Sequence, residues 1–218
     1  MFANKKTPDE LLDELIKRYP VLNECVGGIK DAYEALRTCF AADKTLWCAG
    51  NGGSAADCDH ICGELMKSFM FKRPLCGEFS DRLTDMYGDS GSKLCGRLEG
   101  GLRAISLPSL TALSTAITND MGGDLIFAQM VTAAVSRGDV FLGISTSGNS
   151  PNIVNAAMAA RAKGAAVIVL TGKNECRLDE ICTVAIHVPE TETYKIQELH
   201  LPVYHALCAM TEAEFFGK

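Results

Sequence analysis

Six consecutive positions, Ser145-Thr146-Ser147-Gly148-Asn149-Ser150, hold four hydroxyl side chains and a glycine. They follow the apolar run Val140–Ile144 and precede Pro151. The run reads as a buried strand, and Ser150-Pro151 reads as a helix start with Ser at the N-cap and Pro at the first helical position. A strand-to-helix turn of this kind gathers hydroxyls, free backbone N–H groups and the positive end of a helix dipole on one spot. That is the chemistry of a phosphate cradle. An ordinary capped Ser/Gly loop is the plainer reading, but four crowded hydroxyls favour a phosphorylated small molecule.

A second loop, Gly50-Asn51-Gly52-Gly53-Ser54, follows the apolar run Thr45–Ala49 and opens a helical pattern. Gly50, Gly52 and Ala55 fit the spacing of a dinucleotide fingerprint, which also requires an acidic residue about 20 positions on, at the end of the next strand. The chain has Phe69-Met70-Phe71-Lys72-Arg73-Pro74 there, without a carboxylate. The dinucleotide reading fails.

The helix after this loop carries His60 and Glu64 four residues apart, on one face. Alone, such a pair is usually a solvated ion pair. Near the C-terminus come Gln197, Glu198, His200 and His205, so three of the four histidines fall in these two segments. If both helices line one crevice, His60, Glu64, Gln197 and His205 offer nitrogen and oxygen ligands for a divalent metal such as zinc. Without metal, Glu64 and His205 can serve as proton-transfer partners. His187, in an apolar strand run, reads as a structural histidine. Cys58 and Cys62 read as small buried residues.

The elements that must position these groups alternate. Thr7-Pro8-Asp9-Glu10 is a capping box opening an apolar stripe, and a second helix over about 21–41 completes a helical hairpin. Strand 45–49 follows, then a helix over about 54–70 and an irregular segment, 71–101, read as a helical excursion or a flap. Beyond it come strand 102–107, helices 111–117 and 124–135, strand 140–144, helix 151–163, and strands 166–170 and 183–188. The last helix, 193–216, should kink at Pro202. This alternation predicts an α/β fold whose parallel sheet is covered by helices on both faces. Its ligands belong at the carboxyl ends of the strands, where both glycine-containing loops lie.

The 218 residues suit one domain with an ample core. A 47% apolar composition and a mean hydropathy of +0.09 are slightly high for a monomer and fit subunit packing. No stretch reaches transmembrane length, and Lys5, Lys6 and Asp9 stand where a signal peptide would be apolar, so membrane insertion and secretion are not expected. Ten scattered cysteines without a secretory signal predict reduced thiols and a cytoplasmic location. A net charge of −6 with no basic cluster argues against nucleic acid as a partner.

Gly50-Asn51-Gly52-Gly53-Ser54 with His60 and Glu64, then Ser145–Ser150, then Gln197-Glu198-Leu199-His200 with His205, resemble the phosphoheptose isomerase family of SIS (sugar isomerase) domains. The likeness spans about residues 7–216 and includes Asn119-Asp120 and Leu170-Thr171-Gly172-Lys173. It implies a single SIS domain with a flavodoxin-like five-stranded parallel sheet. It also implies a homotetramer with active sites at subunit interfaces. The implied reaction converts sedoheptulose 7-phosphate to D-glycero-D-manno-heptose 7-phosphate through an enediol. By the same resemblance Ser54, Ser145, Thr146, Ser147 and Ser150 hold the phosphate, Glu64 and His205 are base and acid, and Asn51, Gly52, Gly53, Asn119, Asp120 and Gln197 line the substrate site. Some members bind zinc at the positions of His60, Glu64, Gln197 and His205.

The chain departs from the family at two places. Leu110 stands where the family has an Asp, ten residues before the Asp matching Asp120. The 71–101 segment is longer than usual and carries Asp81, Asp85, Asp89 and Glu99, any of which could replace the missing carboxylate. It could equally reshape the pocket for another sugar phosphate. A non-catalytic SIS module binding a sugar phosphate or a protein is a further alternative, against which the intact Glu64 and His205 count.

Overall fold

The protein is described by a computed structural model over residues 6–217; Lys5 lies outside them. Five strands, β1 (Leu46–Gly50), β2 (Ala104–Ser106), β3 (Val140–Ile144), β4 (Ala166–Thr171) and β5 (Val184–His187), form one sheet in the order β2-β1-β3-β4-β5. Every pairing is parallel. A parallel sheet needs cover on both faces, and β3 is buried at all five residues. One face packs on α1 (Pro8–Arg18), α2 (Val26–Ala41), α3 (Gly53–Met66) and α8 (Thr193–Phe216). The other packs on α5 (Thr111–Asp120), α6 (Ile126–Ala134) and α7 (Pro151–Ala162).

The N-terminal hairpin is as expected, with a reciprocal capping box at its start. The Glu10 N–H donates to Thr7 Oγ1 at 3.3 Å, and the Thr7 N–H donates to Glu10 Oε2 at 2.8 Å. The second helix starts late, at Val26, because Pro20–Cys25 forms a 3₁₀ turn first. Helix α8 runs through Pro202 as one 24-residue helix, over the bounds the sequence predicts.

One helix boundary needs correction, and the 71–101 segment takes the helical of its two expected forms. The glycine-loop helix ends at Met66 and not near 70, since Lys67 is extended. Arg73 holds that end: its guanidinium donates to the carbonyls of Leu65 at 2.6 Å and Glu64 at 2.9 Å. Such unpaired carbonyls close every helix. The 71–101 segment is helical over α4 (Glu78–Cys95), kinked at Gly88 with φ +55°. Its two halves fold together at Gly91, where a Cβ would strike the Leu83 carbonyl. Phe79, Met86 and Tyr87 on it are 58%, 66% and 61% exposed.

All ten cysteines are free thiols, and Cys58 and Cys62 are buried. Among the described residues no helix is long and apolar enough to cross a membrane.

Candidate active site

Strand register sets the two loops side by side. Gly50, the last residue of β1, stands opposite Ile144, the last residue of β3. The loops that follow are tied by Asn51 and Asn152, whose side-chain amides exchange hydrogen bonds of 3.0 and 2.8 Å. Strand order reverses between β1 and β3, so the loops flank the crevice in which open α/β sheets bind ligands.

Ser145 is buried, and its hydroxyl lies 3.1 Å from that of Ser150. Ser150 occupies the N-cap position as expected but makes no side-chain cap; its hydroxyl turns into the loop. Among the described residues the N–H groups of Thr146, Ser147 and Ser150 donate to no protein acceptor. Unpaired donors beside a helix N-terminus suit an anion. The loop opens on a cavity of about 330 Å³ whose lining includes Thr146, Ser147, Lys173, Glu190 and Ile196.

The loop closes on a left-handed glycine. Gly148 has φ +62°, and a Cβ there would collide with Cys176 Sγ and stand 3.0 Å from Thr171 Oγ1. The Gly148 carbonyl accepts from the Leu178 N–H at 3.3 Å, and Asn149 Oδ1 accepts from the Arg177 N–H at 3.0 Å. Gly148→Ala is therefore expected to cost about 1–2 kcal/mol of stability through its φ alone. It should raise KM for a sugar phosphate at least tenfold with a smaller change in kcat. Steady-state kinetics with a thermal melt check both.

Helices α3 and α8 bring the other group together. His60 Nε2 lies 3.1 Å from Glu64 Oε1 and 3.4 Å from His205 Nε2. Gln197, two turns earlier on α8, covers the start of α3: a Cβ on Gly53 would be 2.7 Å from its Nε2. Ser54 is buried in the first turn of α3. Burial and the neighbouring His60 hold the His205 imidazole below its ordinary pKa. An apolar cavity of about 240 Å³, lined by Leu15, Tyr19, Phe69 and Met70 among others, adjoins His205. His60, Glu64, Gln197 and His205 have donor types suited to zinc. Among the described residues, however, no three His, Cys, Asp or Glu side chains are grouped so as to hold an ion. Glu64 and His205 each meet His60, while Gln197 stands against Gly53 at the start of α3.

Several named residues stand elsewhere. Asn119 and Asp120 are exposed at the end of α5 and bond to each other at 2.8 Å. No hydrogen bond or ion pair among the described residues joins them to the crevice. His187 is held at both nitrogens, by the Gly172 carbonyl at 2.8 Å and Asp179 at 3.0 Å, as a structural histidine would be. None of Asp81, Asp85 and Asp89 on α4 makes an ion pair or hydrogen bond to the site. Glu99 instead accepts the Ser68 N–H at 3.0 Å beyond the end of α3. Leu110 is 41% exposed, and the hydroxyls of Ser106 and Ser109 just before it both donate to Asp59.

His200 lies on the buried side of α8, with neither ring nitrogen partnered. Burial pushes its pKa down to about 4, against a weaker upward pull from the Thr171 backbone. Its folded pKa lies below the unfolded value, so its neutral ring stabilises fully above about pH 6.5. That contribution is lost as pH falls towards 4, by about 3 kcal/mol in all. A His200→Leu variant should melt with a flatter pH dependence than the wild type between those limits.

Residues that sequence spacing did not single out complete the site. Tyr204, adjacent to His205, reaches His60 Nδ1 at 3.1 Å and Asp57 Oδ1 at 3.2 Å. Arg73 and Glu212 form a fully buried ion pair at 2.8 Å behind Glu64. Asp57, His60 and Glu64 fall at i, i+3 and i+7 of one helix, a spacing that would have placed Asp57 with the other two. Nothing in the sequence marked Arg73 as buried.

The SIS domain family model matches residues 85–172. Phosphoheptose isomerase 2 of Campylobacter jejuni is 40% identical over 191 residues, covering 87% of this chain and 82% of its own. The phosphoheptose isomerase of Trichlorobacter lovleyi is 34% identical over 208 residues, covering 95% and 93%. The solved phosphoheptose isomerase from Neisseria gonorrhoeae superposes with a TM-score of 0.68 at 31% identity, covering 94% of this chain and 92% of that one.

Proposed function

This chain belongs to the phosphoheptose isomerase family, and from that premise we propose how its residues carry the reaction. The protein is an aldose–ketose isomerase converting sedoheptulose 7-phosphate to D-glycero-D-manno-heptose 7-phosphate. The observation that carries the reading is the contact of Glu64, His60 and His205 on two helices that also border the serine-rich loop.

The sugar phosphate anchors through Ser54, Ser145, Thr146, Ser147 and Ser150. Its chain runs past Asn51, Gly52, Gly53 and Gln197, with Asn119 and Asp120 at the outer rim. Ile196 lines the phosphate cavity and His205 lies nine residues on, an axial rise of about 13 Å along α8. A substrate anchored at one end must be extended to reach Glu64 at the other, which favours a long sugar. Glu64 takes the C1 proton of the ketose and returns it at C2. His205 exchanges protons with O1 and O2 as the carbonyl moves between them. Remote phosphate binding holds the reacting carbons in register.

Zinc binding by His60, Glu64, Gln197 and His205 is part of the same proposal, and loading would require these side chains to re-aim. A bound ion would polarise the carbonyl. Calorimetric titration with Zn²⁺ tests it. We also propose a homotetramer in the cytoplasm. The apolar residues that α4 leaves uncovered support an assembly, and light scattering at the mass of four chains would confirm it.

The added α4 helix and Leu110 favour one alternative, an isomerase of another sugar phosphate. A panel of five-, six- and seven-carbon ketose phosphates separates the two. The seven-carbon substrate is expected to have the highest kcat/KM; preference for a shorter one would transfer the assignment to that sugar.

A further inference from the structure

The carboxyl end of β4 lies against the serine-rich loop. The Gly172 N–H, first after the strand, donates to the Thr146 carbonyl at 3.2 Å, and the Lys173 N–H donates to the Glu190 carbonyl at 2.9 Å. These bonds pin the backbone of residue 173 beside the phosphate cavity, whose lining Lys173 shares with Thr146 and Ser147. Among the described residues Lys173 is the only cationic side chain of that lining, which also holds two carboxylates, Glu175 and Glu190. The lysine is exposed, and its Nζ makes no hydrogen bond or ion pair with another described residue.

Charge decides what this lysine can do. A phosphate monoester carries about −1.5 to −2 at pH 7. The serine hydroxyls and the unpaired N–H groups of the loop offer it dipoles only, and the two carboxylates repel it. Without Lys173 the cavity would present no whole positive charge to the anion. An ammonium binds phosphate as a point charge, and its flexible stem lets it move between a carboxylate and an incoming anion. We infer that Lys173 is a phosphate-binding residue whose ammonium moves onto the anchored phosphate and supplies the full positive charge that the serine-rich loop lacks. Glu175 and Glu190 compete with the phosphate for it. The identity of the sugar rests on the isomerase reading; the contact with the anion does not.

The test uses the full chain with inorganic phosphate as the probe, in calorimetric titrations at low and at raised NaCl. Lys173→Met is expected to weaken phosphate binding about fivefold to tenfold and to flatten its salt dependence, since an exposed charge contact is screened. Lys173→Arg keeps the charge and should stay within about threefold of wild type. Glu190→Gln removes a competing carboxylate and should tighten phosphate about twofold to threefold, a gain that no folding defect can imitate. With sedoheptulose 7-phosphate, Lys173→Met should raise KM by about the same factor as it weakens phosphate, with kcat within about twofold. Lys173→Met protein that binds phosphate as tightly as wild type, with the same salt dependence, would overturn the inference. An unchanged KM in that variant would also overturn it, while leaving the isomerase reading intact. Wild type that shows the expected phosphate differences but isomerises no sugar phosphate would uphold Lys173 and remove the isomerase reading.

Discussion

Glu64→Gln is expected to lower turnover by roughly 10³-fold, the middle of the range for loss of a positioned general base. Gln matches Glu in size, so it keeps the packing of a side chain that is only 15% exposed and adjoins His60 at 3.1 Å. What it loses is the ability to accept a proton from carbon. The phosphate end of the substrate sits on other residues, so KM should change little, and a sugar phosphate should still protect the variant in a thermal melt. This split between kcat and KM separates a base from a binding residue. Turnover unchanged from wild type would remove Glu64 from that role.

Arg73→Met is expected to be the most destabilising of the single substitutions considered, by about 3–5 kcal/mol. For a chain of this size that is a fall in thermal midpoint on the order of 10 °C. Arg73 and Glu212 are both fully buried, and the network around them is closed. Glu212 also accepts the N–H groups of Phe69 at 2.9 Å and Met70 at 2.6 Å. Arg73 also donates to the Leu65 and Glu64 carbonyls and stacks on Phe216 at 4.6 Å. Removing the guanidinium strands a buried carboxylate and frees the end of the helix that carries Glu64. Burying an unpaired charge costs more than the pair gains, so Arg73→Met with Glu212→Leu should recover part of the loss. Chemical denaturation of the three variants measures this. A single variant as stable as the wild type would contradict it.

Much of this was legible in the chain because local chemistry and global fold agree. Strand runs at 140–144 and 166–170, the Ser150-Pro151 start and the Thr7 capping box all depend on neighbours a few residues away. The His60/Glu64 pair was readable for the same reason, since helical spacing alone puts both on one face. What could not be read depends on distant partners. Helix α3 stops at Met66 because Arg73 takes its terminal carbonyls from outside, and no residue within α3 signals a stop. Ser150 looked like a cap, but its hydroxyl found Ser145 instead. Tyr204 escaped notice because only the packing of α8 on α3 gives its hydroxyl two partners. In α4 the charged residues suggested a substitute carboxylate, yet the kink at Gly88 folds the helix on itself and leaves its acids in solvent.

The central claim is that this chain moves a proton between adjacent carbons of a seven-carbon sugar phosphate, with Glu64 as the base. Its most direct test is incubation of the zinc-supplemented protein with sedoheptulose 7-phosphate in heavy water, followed by NMR. The account predicts an aldose carrying deuterium at C2, formed by wild type and not by Glu64→Gln. Folded protein that neither converts the ketose nor exchanges its C1 hydrogen would contradict it.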